Sequence, residues 1–148
     1  MLNKVLIGIY KRDLNKLKEE LNAYADEAAI WRVQDGISNS AGNLTLHLIG
    51  NLNHFIGATL GNSGYVRDRD KEFSLKNVPR SEIIVSIDNT IAIVELTLEK
   101  VKEEDMDKQF PLPVGKEDNS TRFVLLNMLV HLGYHLGQIN YHRRLIGK

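Results

Sequence analysis

The chain has 148 residues, about the length of one domain, and 43% of them are hydrophobic, which excludes a protein that is disordered throughout. Nineteen basic residues balance nineteen acidic ones, so non-specific nucleic-acid binding, which needs clustered cations, is not expected. The sequence has no cysteine, which excludes disulfides and thiolate ligands and fits the reducing cytoplasm where we expect the protein to act.

Two helices are predicted in the first part of the chain. Leucine, isoleucine and tyrosine recur every three or four residues over about residues 2–28, which predicts a helix with one apolar face. A second helix is predicted over about residues 40–60, after a turn region at 36–40. Ser38 or Ser40 is expected to cap it, because a serine hydroxyl accepts hydrogen bonds from the free N–H groups at a helix start.

Two more helices are predicted in the second part. After Pro79 and Ser81, isoleucine, valine and leucine recur at heptad-like spacing as far as Val101, and this spacing favours a helix over a strand. A fourth helix is predicted over about residues 120–145. Four amphipathic segments without a convincing strand predict an all-α protein, an up-and-down four-helix bundle with long inter-helix loops, in a single domain over residues 1–148.

The second and fourth predicted helices lie in runs without charge. No Lys, Arg, Asp or Glu occurs within residues 36–66 or 123–142. About 20 apolar residues are enough to span a bilayer. Asparagine, glutamine and histidine interrupt both runs, however, and such groups are costly in hydrocarbon. We therefore expect buried helices in a protein that does not enter a membrane.

The polar residues of these two helices form one stripe on each helix, at 3.6 residues per turn. The stripes comprise Asn43, His47, Asn51 and His54 on the second helix and Asn127, His131, His135, Gln138 and His142 on the fourth. Because the rest of both helices is apolar, we expect the two stripes to face each other and line an internal polar cleft. Asn51, Asn127 and Gln138 are candidate partners for the imidazoles, or for one another.

His131 and His135 are four residues apart, so both imidazoles project from adjacent helical turns and can reach one metal ion. The alternative is a pair of core histidines that hydrogen-bond to asparagines and backbone carbonyls. A third ligand is available from His47 or His54, which are about 10 Å apart along the helix, so only one of them can join. The helical spacing does not distinguish His47 from His54 as the third ligand. It places His142 too far from His135 to bind the same ion, so we expect His142 at the cleft edge or the surface.

Three elements of the sequence resemble the DinB-like superfamily of small helical-bundle proteins. They are Asn-Leu-Thr-Leu-His-Leu at 43–48 with Gly-Asn at 50–51, Val-Arg-Asp-Arg-Asp-Lys-Glu-Phe at 66–73, and His-Leu-Gly-Tyr-His-Leu-Gly-Gln-Ile at 131–139. The resemblance implies a divalent metal bound by His47, His131 and His135, with His54 outside the ligand set. Zinc and nickel both suit imidazole ligands.

The same resemblance implies an enzyme that transfers a low-molecular-weight thiol cosubstrate to a small-molecule substrate, with no catalytic side chain assigned. A metal-dependent hydrolase and a non-catalytic metal- or ligand-binding stress-response protein are the alternatives. The Arg67–Asp70 run is interpreted as ion pairs that stiffen an exposed loop, or as arginines that hold an anion over the cleft.

A homodimer is expected as well. Val85, Ile93 and Leu96 lie outside the main apolar stripe of the third helix, and this surplus apolar surface suggests a second buried contact. Relatives that the chain resembles are often dimeric.

Overall fold

Helices account for most of the protein in the computed structural model, which describes residues 1–115, 117 and 119–148. The α-helices are α1 (Leu2–Asn22), α2 (Ala41–Leu52), α3 (Arg69–Ser74), α4 (Arg80–Lys100) and α5 (Thr121–Leu145). Short 3-10 segments occupy Glu27–Trp31 and Glu103–Asp105. Within the described ranges, isolated bridges occur but no strand does, so the predicted all-α class is confirmed.

Serine caps place the starts of α2 and α5 close to where they were predicted. Ser40 Oγ accepts a hydrogen bond from Asn43 N at 3.1 Å, and Ser120 Oγ accepts one from Phe123 N at 3.2 Å. Of the two candidate caps for α2, Ser40 is therefore the one used. The end of α1 was predicted too late, because the helix ends at Asn22 and Asp26 starts a separate 3-10 turn.

The second predicted helix is regular only as far as Leu52. The six residues Asn53–Ala58 form a π-helical turn that directly follows α2. Within it, Asn53 Nδ2 donates to Ile49 O at 2.8 Å and to Thr90 Oγ1 of α4 at 2.9 Å. A π turn is wider than an α turn and rotates the residues that follow it.

One apolar core joins the long helices. The predicted face of α1 supplies residues that are almost fully buried, and on α4 the buried members of the predicted stripe are Ile87, Val94 and Leu98. The α1 residues are Leu6, Tyr10, Leu14, Leu17 and Leu21. None of the described helices combines the length and the hydropathy that a membrane-spanning segment requires.

Contacts along α1 define the directions of α4 and α5. Near the start of α1, Asn3 Nδ2 donates to Leu98 O at 3.3 Å, so α4 ends where α1 begins and the two helices are antiparallel. By contrast, Tyr10 OH donates to Leu125 O at 2.6 Å, near the start of α5. Glu20, near the end of α1, accepts a hydrogen bond from a residue near the end of α5, Asn140. Helices α1 and α5 are therefore parallel.

Helices α2 and α4 also run parallel, so the predicted alternation of helix directions is wrong. Asn53 pairs with Thr90, and further along both helices Gly57 packs against Ile93. The order of directions is up, down, down, up for α1, α2, α4 and α5. Apolar periodicity identifies the face that a helix buries but not its direction, and a long connection permits a parallel neighbour.

The connection over residues 59–79 makes this arrangement possible. It starts at the end of the α2 region and delivers the chain to the start of α4, at the opposite end of the molecule. Helix α3 lies within this connection and packs against α2. It was not predicted, and Asp68 caps it by accepting a hydrogen bond from Lys71 N at 3.3 Å. The connection thus carries charged residues along the outside of α2.

His142 was predicted at the cleft edge or surface, but only 6% of it is exposed. Its Nε2 donates to Arg32 O at 2.8 Å, and its Nδ1 accepts a hydrogen bond from Tyr24 OH at 2.6 Å. Burial raises the pKa of Tyr24, so its hydroxyl remains a donor. The reason for the difference is that residues 32–39 fold over the end of α5, which a helical wheel does not show.

Replacing His142 is expected to destabilise the fold without affecting His47, His131 and His135. His142→Ala leaves the Tyr24 hydroxyl and the Arg32 carbonyl without partners, which lowers the free energy of unfolding by about 1–3 kcal/mol. Tyr24→Phe removes one of the two hydrogen bonds and should have the smaller effect. Urea denaturation measures both, and an unchanged midpoint for His142→Ala would contradict this structural role.

Candidate metal centre

Imidazoles from α2 and α5 meet between the two helices. His47 Nε2 lies 3.1 Å from His131 Nε2, which lies 3.1 Å from His135 Nε2. One ligand atom from each of the three rings lies within 4.8 Å of the other two. A tetrahedral ion with bonds of about 2.1 Å separates its ligands by about 3.4 Å. The three histidines are therefore close enough to hold a metal ion.

The side chains around the three rings are mainly apolar. The four-residue spacing of His131 and His135 places both on the face of α5 that meets α2. The neighbouring residues Leu48 and Leu132 are fully buried. On its outer side, the His47 ring lies against Phe73 of α3, with 5.0 Å between the ring centroids. The cluster is thus enclosed on several sides by packed side chains, which limits ring rotation.

Hydrogen bonds on the far side of two rings decide where their protons lie. His47 Nδ1 is 3.0 Å from Glu72 Oε1, and His135 Nδ1 is 2.6 Å from Gln138 Oε1. Both oxygens are acceptors, so each Nδ1 donates and each opposite Nε2 carries a lone pair in the neutral ring. Since His131 Nε2 has at most one proton for two neighbours, at least one close N···N contact would join two lone pairs. A cation between the rings removes this conflict.

The electrostatic setting keeps His131 and His47 in the neutral state that binds metal. Burial, reinforced by the neighbouring histidines and Arg67, lowers the pKa of His131 to about 4. Burial also lowers the pKa of His47, although the Glu72 carboxylate opposes this shift. Neutral imidazole is the ligand form of histidine, so little proton competition is expected near neutral pH. His131 Nδ1 is buried and has no hydrogen-bond partner among the described residues.

A buried carboxylate from the connection after α2 supports the cluster. Glu72 is 5% exposed, and its two oxygens accept hydrogen bonds from Arg67 Nε and Nη2, both at 2.8 Å. Arg67 Nη2 also lies 3.4 Å from His47 Nδ1. The guanidinium compensates the buried negative charge, and the carboxylate orients the imidazole. The interpretation of this run as an exposed, loop-stiffening set of ion pairs is therefore wrong for Arg67.

Gly50 allows this carboxylate to lie against α2. A Cβ atom at Gly50 would be 1.9 Å from Glu72 Oε2, far inside van der Waals contact. Neither Gly50 nor Glu72 was among the candidate site residues, because one has no polar group and the other lies outside both stripes. The signal available in the sequence was the 66–73 element of the DinB-like resemblance, which contains Arg67 and Glu72.

The other stripe residues have separate positions. Asn43 Nδ2 donates to the carbonyls of Glu72 and Leu75, at 2.9 and 2.8 Å, and so holds α3 against α2. Asn51 is buried, and its Oδ1 has no partner in the part of the chain that is described. Asn127 is exposed, so the two stripes do not face each other over their whole length.

His54 lies outside the cluster of three histidines. Its ring packs against Phe55, with 4.7 Å between the centroids, and burial lowers its pKa.

We expect the cluster to bind about one divalent ion per chain. Alanine in place of His47, His131 or His135 should remove most of the metal, because two imidazoles hold an ion far more weakly than three. His54→Ala and His142→Ala should retain it. Elemental analysis after reconstitution with zinc or nickel provides the measurement. Full metal content in the triple alanine variant, or loss in His54→Ala with retention in His47→Ala, would contradict the ligand set.

Gly50→Ala tests the support given by Glu72. The added methyl displaces the carboxylate from His47, which should weaken metal affinity about 10–100-fold, the usual effect of losing an outer partner of a ligand. Gly133→Ala is the matched control, because a Cβ there meets nothing within 4 Å and Gly133 lies on α5 between two of the histidines. Equal zinc affinities for both variants in competition titrations would contradict the role of Glu72.

Comparison with known proteins relates the chain to one family. The sequence pattern of the family described as protein of unknown function (DUF1572) matches residues 6–148, a range that includes all three histidines, Arg67 and Glu72. No curated protein gives a significant match. Because the family pattern covers nearly the whole chain, this protein belongs to the DUF1572 family.

Proposed function

We propose that this protein is a divalent-metal-dependent enzyme on a single DinB-like four-helix bundle, and that it transfers a low-molecular-weight thiol to a small electrophilic substrate. The observation that carries the proposal is the convergence of three Nε2 atoms without a carboxylate among them. Three protein ligands leave a position for an exogenous ligand, as in catalytic rather than structural sites. Zinc and nickel are the proposed metals.

The charge of the cluster supports nucleophile activation. All three ligands are neutral imidazoles, so a bound divalent ion keeps its net charge and supplies Lewis-acid chemistry that lowers the pKa of a thiol or of water. The Glu72 carboxylate, whose charge is compensated by Arg67, orients His47 from outside the ligand set. The chain thus fixes the orientation of the His47 ring and leaves one coordination position open for an exogenous ligand.

The engagement of Glu72 favours a thiol over water as the nucleophile. Both oxygens of Glu72, the buried carboxylate beside these histidines, are already engaged by Arg67 and His47. Hydrolysis commonly uses such a group as a general base. A thiol is acidic enough to lose its proton to solvent water. Its sulfur then forms a bond to the electrophilic carbon, and the leaving group departs with the electrons of the broken bond.

Thiol transfer is tested by a reaction that consumes thiol. Zinc- or nickel-loaded protein should accelerate the reaction of glutathione or free cysteine with chlorodinitrobenzene, and His131→Ala should lose about 100-fold or more of the acceleration. His54→Ala, with its metal retained, is the control for the removal of a histidine. Absorbance of the thioether product measures the rate.

Two outcomes would contradict the transferase. Ester hydrolysis by the metal-loaded protein, without any thiol requirement, would identify a metal-dependent hydrolase. Stoichiometric retention of thiol or electrophile without turnover would identify a non-catalytic binding protein.

We also propose that the protein forms a two-fold homodimer. Of the three surplus apolar residues on α4, Val85 and Leu96 are 58% and 54% exposed, whereas Ile93 packs against Gly57 within the chain. Helix α5 exposes a longer apolar row at three- and four-residue spacing, consisting of Phe123, Leu126, Val130 and Tyr134. Exposed apolar surface of this kind is typical of an interface between identical chains.

Light scattering at micromolar concentration measures the assembly. We expect a mass of two chains, and dissociation by either Leu96→Glu or Val130→Glu, because a buried unpaired charge is costly. The variant that dissociates identifies the interface helix, and its metal content should be unchanged. A wild-type mass of one chain at every concentration would contradict the dimer.

A further inference from the structure

A cavity of about 420 Å³, partly open to solvent, lies beside Gln138, the hydrogen-bond partner of His135. Its walls are the loop at residues 34–39, the first turn of α2 and the last turns of α5. Its apolar lining consists of Ile37, Leu44, Tyr141, Leu145 and Ile146. Cavities of roughly 300–1,000 Å³ with mainly apolar walls and a few polar groups are typical of small-molecule sites. The size and lining therefore suit a small organic ligand.

The cavity is connected to the cluster through two side chains. Gln138 lines it, and Gln138 Oε1 is the acceptor that fixes His135 Nδ1 at 2.6 Å. Leu44, on the opposite wall, lies one helical turn before His47 on α2. A molecule in the cavity is therefore held between the two helices that carry the three imidazoles, beside one of the hydrogen bonds that orient them.

The lining is electrically neutral. None of the described residues that line the cavity is an acid, a lysine or an arginine. His142 also lines it, but both ring nitrogens are engaged, one by Tyr24 OH and the other by Arg32 O. None of the described side chains that line the cavity can pair with a charged group, whereas the apolar ones gain from covering a neutral ligand. The lining thus selects for a neutral, mainly apolar ligand.

The loop that forms the outer wall is held in place. Gly36 has a φ of +91°, a left-handed conformation that glycine adopts without strain, and Ile37 N donates to Gln34 O at 3.1 Å across the turn. Just before the loop, the Arg32 carbonyl accepts the hydrogen bond from His142. The wall is therefore anchored at both the turn and its base, and it presents Ile37 to the cavity.

We propose that this cavity binds the neutral, mainly apolar part of a small molecule and that this molecule is the electrophile that receives the thiol. The identity of the ligand as the electrophile rests on the proposed function, whereas the binding of a neutral apolar molecule does not. Gln138 acts as a positioning residue at the boundary, since it contacts both the cavity and His135.

Two matched fluorescent probes test the chemistry of the cavity. Phenylnaphthylamine is neutral, and anilinonaphthalenesulfonate is the same ring system with a sulfonate. Metal-free protein should bind phenylnaphthylamine at one site per chain, about tenfold or more tighter than the sulfonate. Tighter binding of the sulfonate, or no saturable binding of the neutral probe, would overturn the proposed ligand class.

Tryptophan substitutions locate the binding site. Ile37→Trp and Leu145→Trp each fill part of the cavity and should weaken phenylnaphthylamine binding about tenfold or more. Val33→Trp is the control, because Val33 is an exposed aliphatic residue just before the same loop and does not line the cavity. Circular dichroism verifies the fold of each variant. Unchanged probe binding in both filled variants would overturn the site.

The reaction with thiol separates this proposal from the proposed function. In metal-loaded protein, Ile37→Trp should raise the KM for chlorodinitrobenzene and leave the KM for the thiol unchanged. Normal probe binding with no thiol reaction would contradict the proposed function and keep the cavity as a binding site. A normal thiol reaction, with an unchanged KM for the electrophile in the filled variants, would contradict the role of the cavity and keep the function.

Discussion

The ion pair between Arg67 and Glu72 joins the long connection after α2 to the histidine cluster. Burial of a carboxylate against an apolar helix is costly unless the charge is compensated. Here the Arg67 guanidinium donates to both oxygens of Glu72, and the His47 imidazole N–H donates to one of them. Gly50 leaves the space that this arrangement needs. The position of the connection and the orientation of His47 therefore depend on the same few contacts.

The cluster combines neutral ligands with a charged outer layer. Three imidazoles would leave the charge of a bound cation uncompensated. The Glu72 carboxylate lies behind His47, outside the three candidate ligands, where it orients the ring instead of occupying a coordination position. A carboxylate in place of one of the imidazole ligands would lower the electrophilicity of the ion. The proposed activation of an exogenous nucleophile rests on this separation of the carboxylate from the three candidate ligands.

Helix α5 contributes to three parts of the molecule at successive turns. His131 and His135 belong to the cluster, Gln138 orients a ring and lines the adjoining cavity, and His142 closes the base of that cavity through Tyr24 and Arg32. Because these residues share one rigid helix, the cavity and the cluster keep a constant separation. A ligand bound in the cavity, as proposed above, would therefore lie at a distance from the imidazoles that this helix sets.

Local periodicity, capping and the helical repeat were enough to predict the all-α class, the starts of α2, α4 and α5, and the proximity of His131 and His135. His47 came from the DinB-like resemblance rather than from spacing. Local sequence patterns did not reveal that α2 and α4 run parallel, that Arg67 and Glu72 reach His47, or that His142 is buried. Those features depend on where a long connection and a loop pack, and apolar periodicity carries no information about that packing.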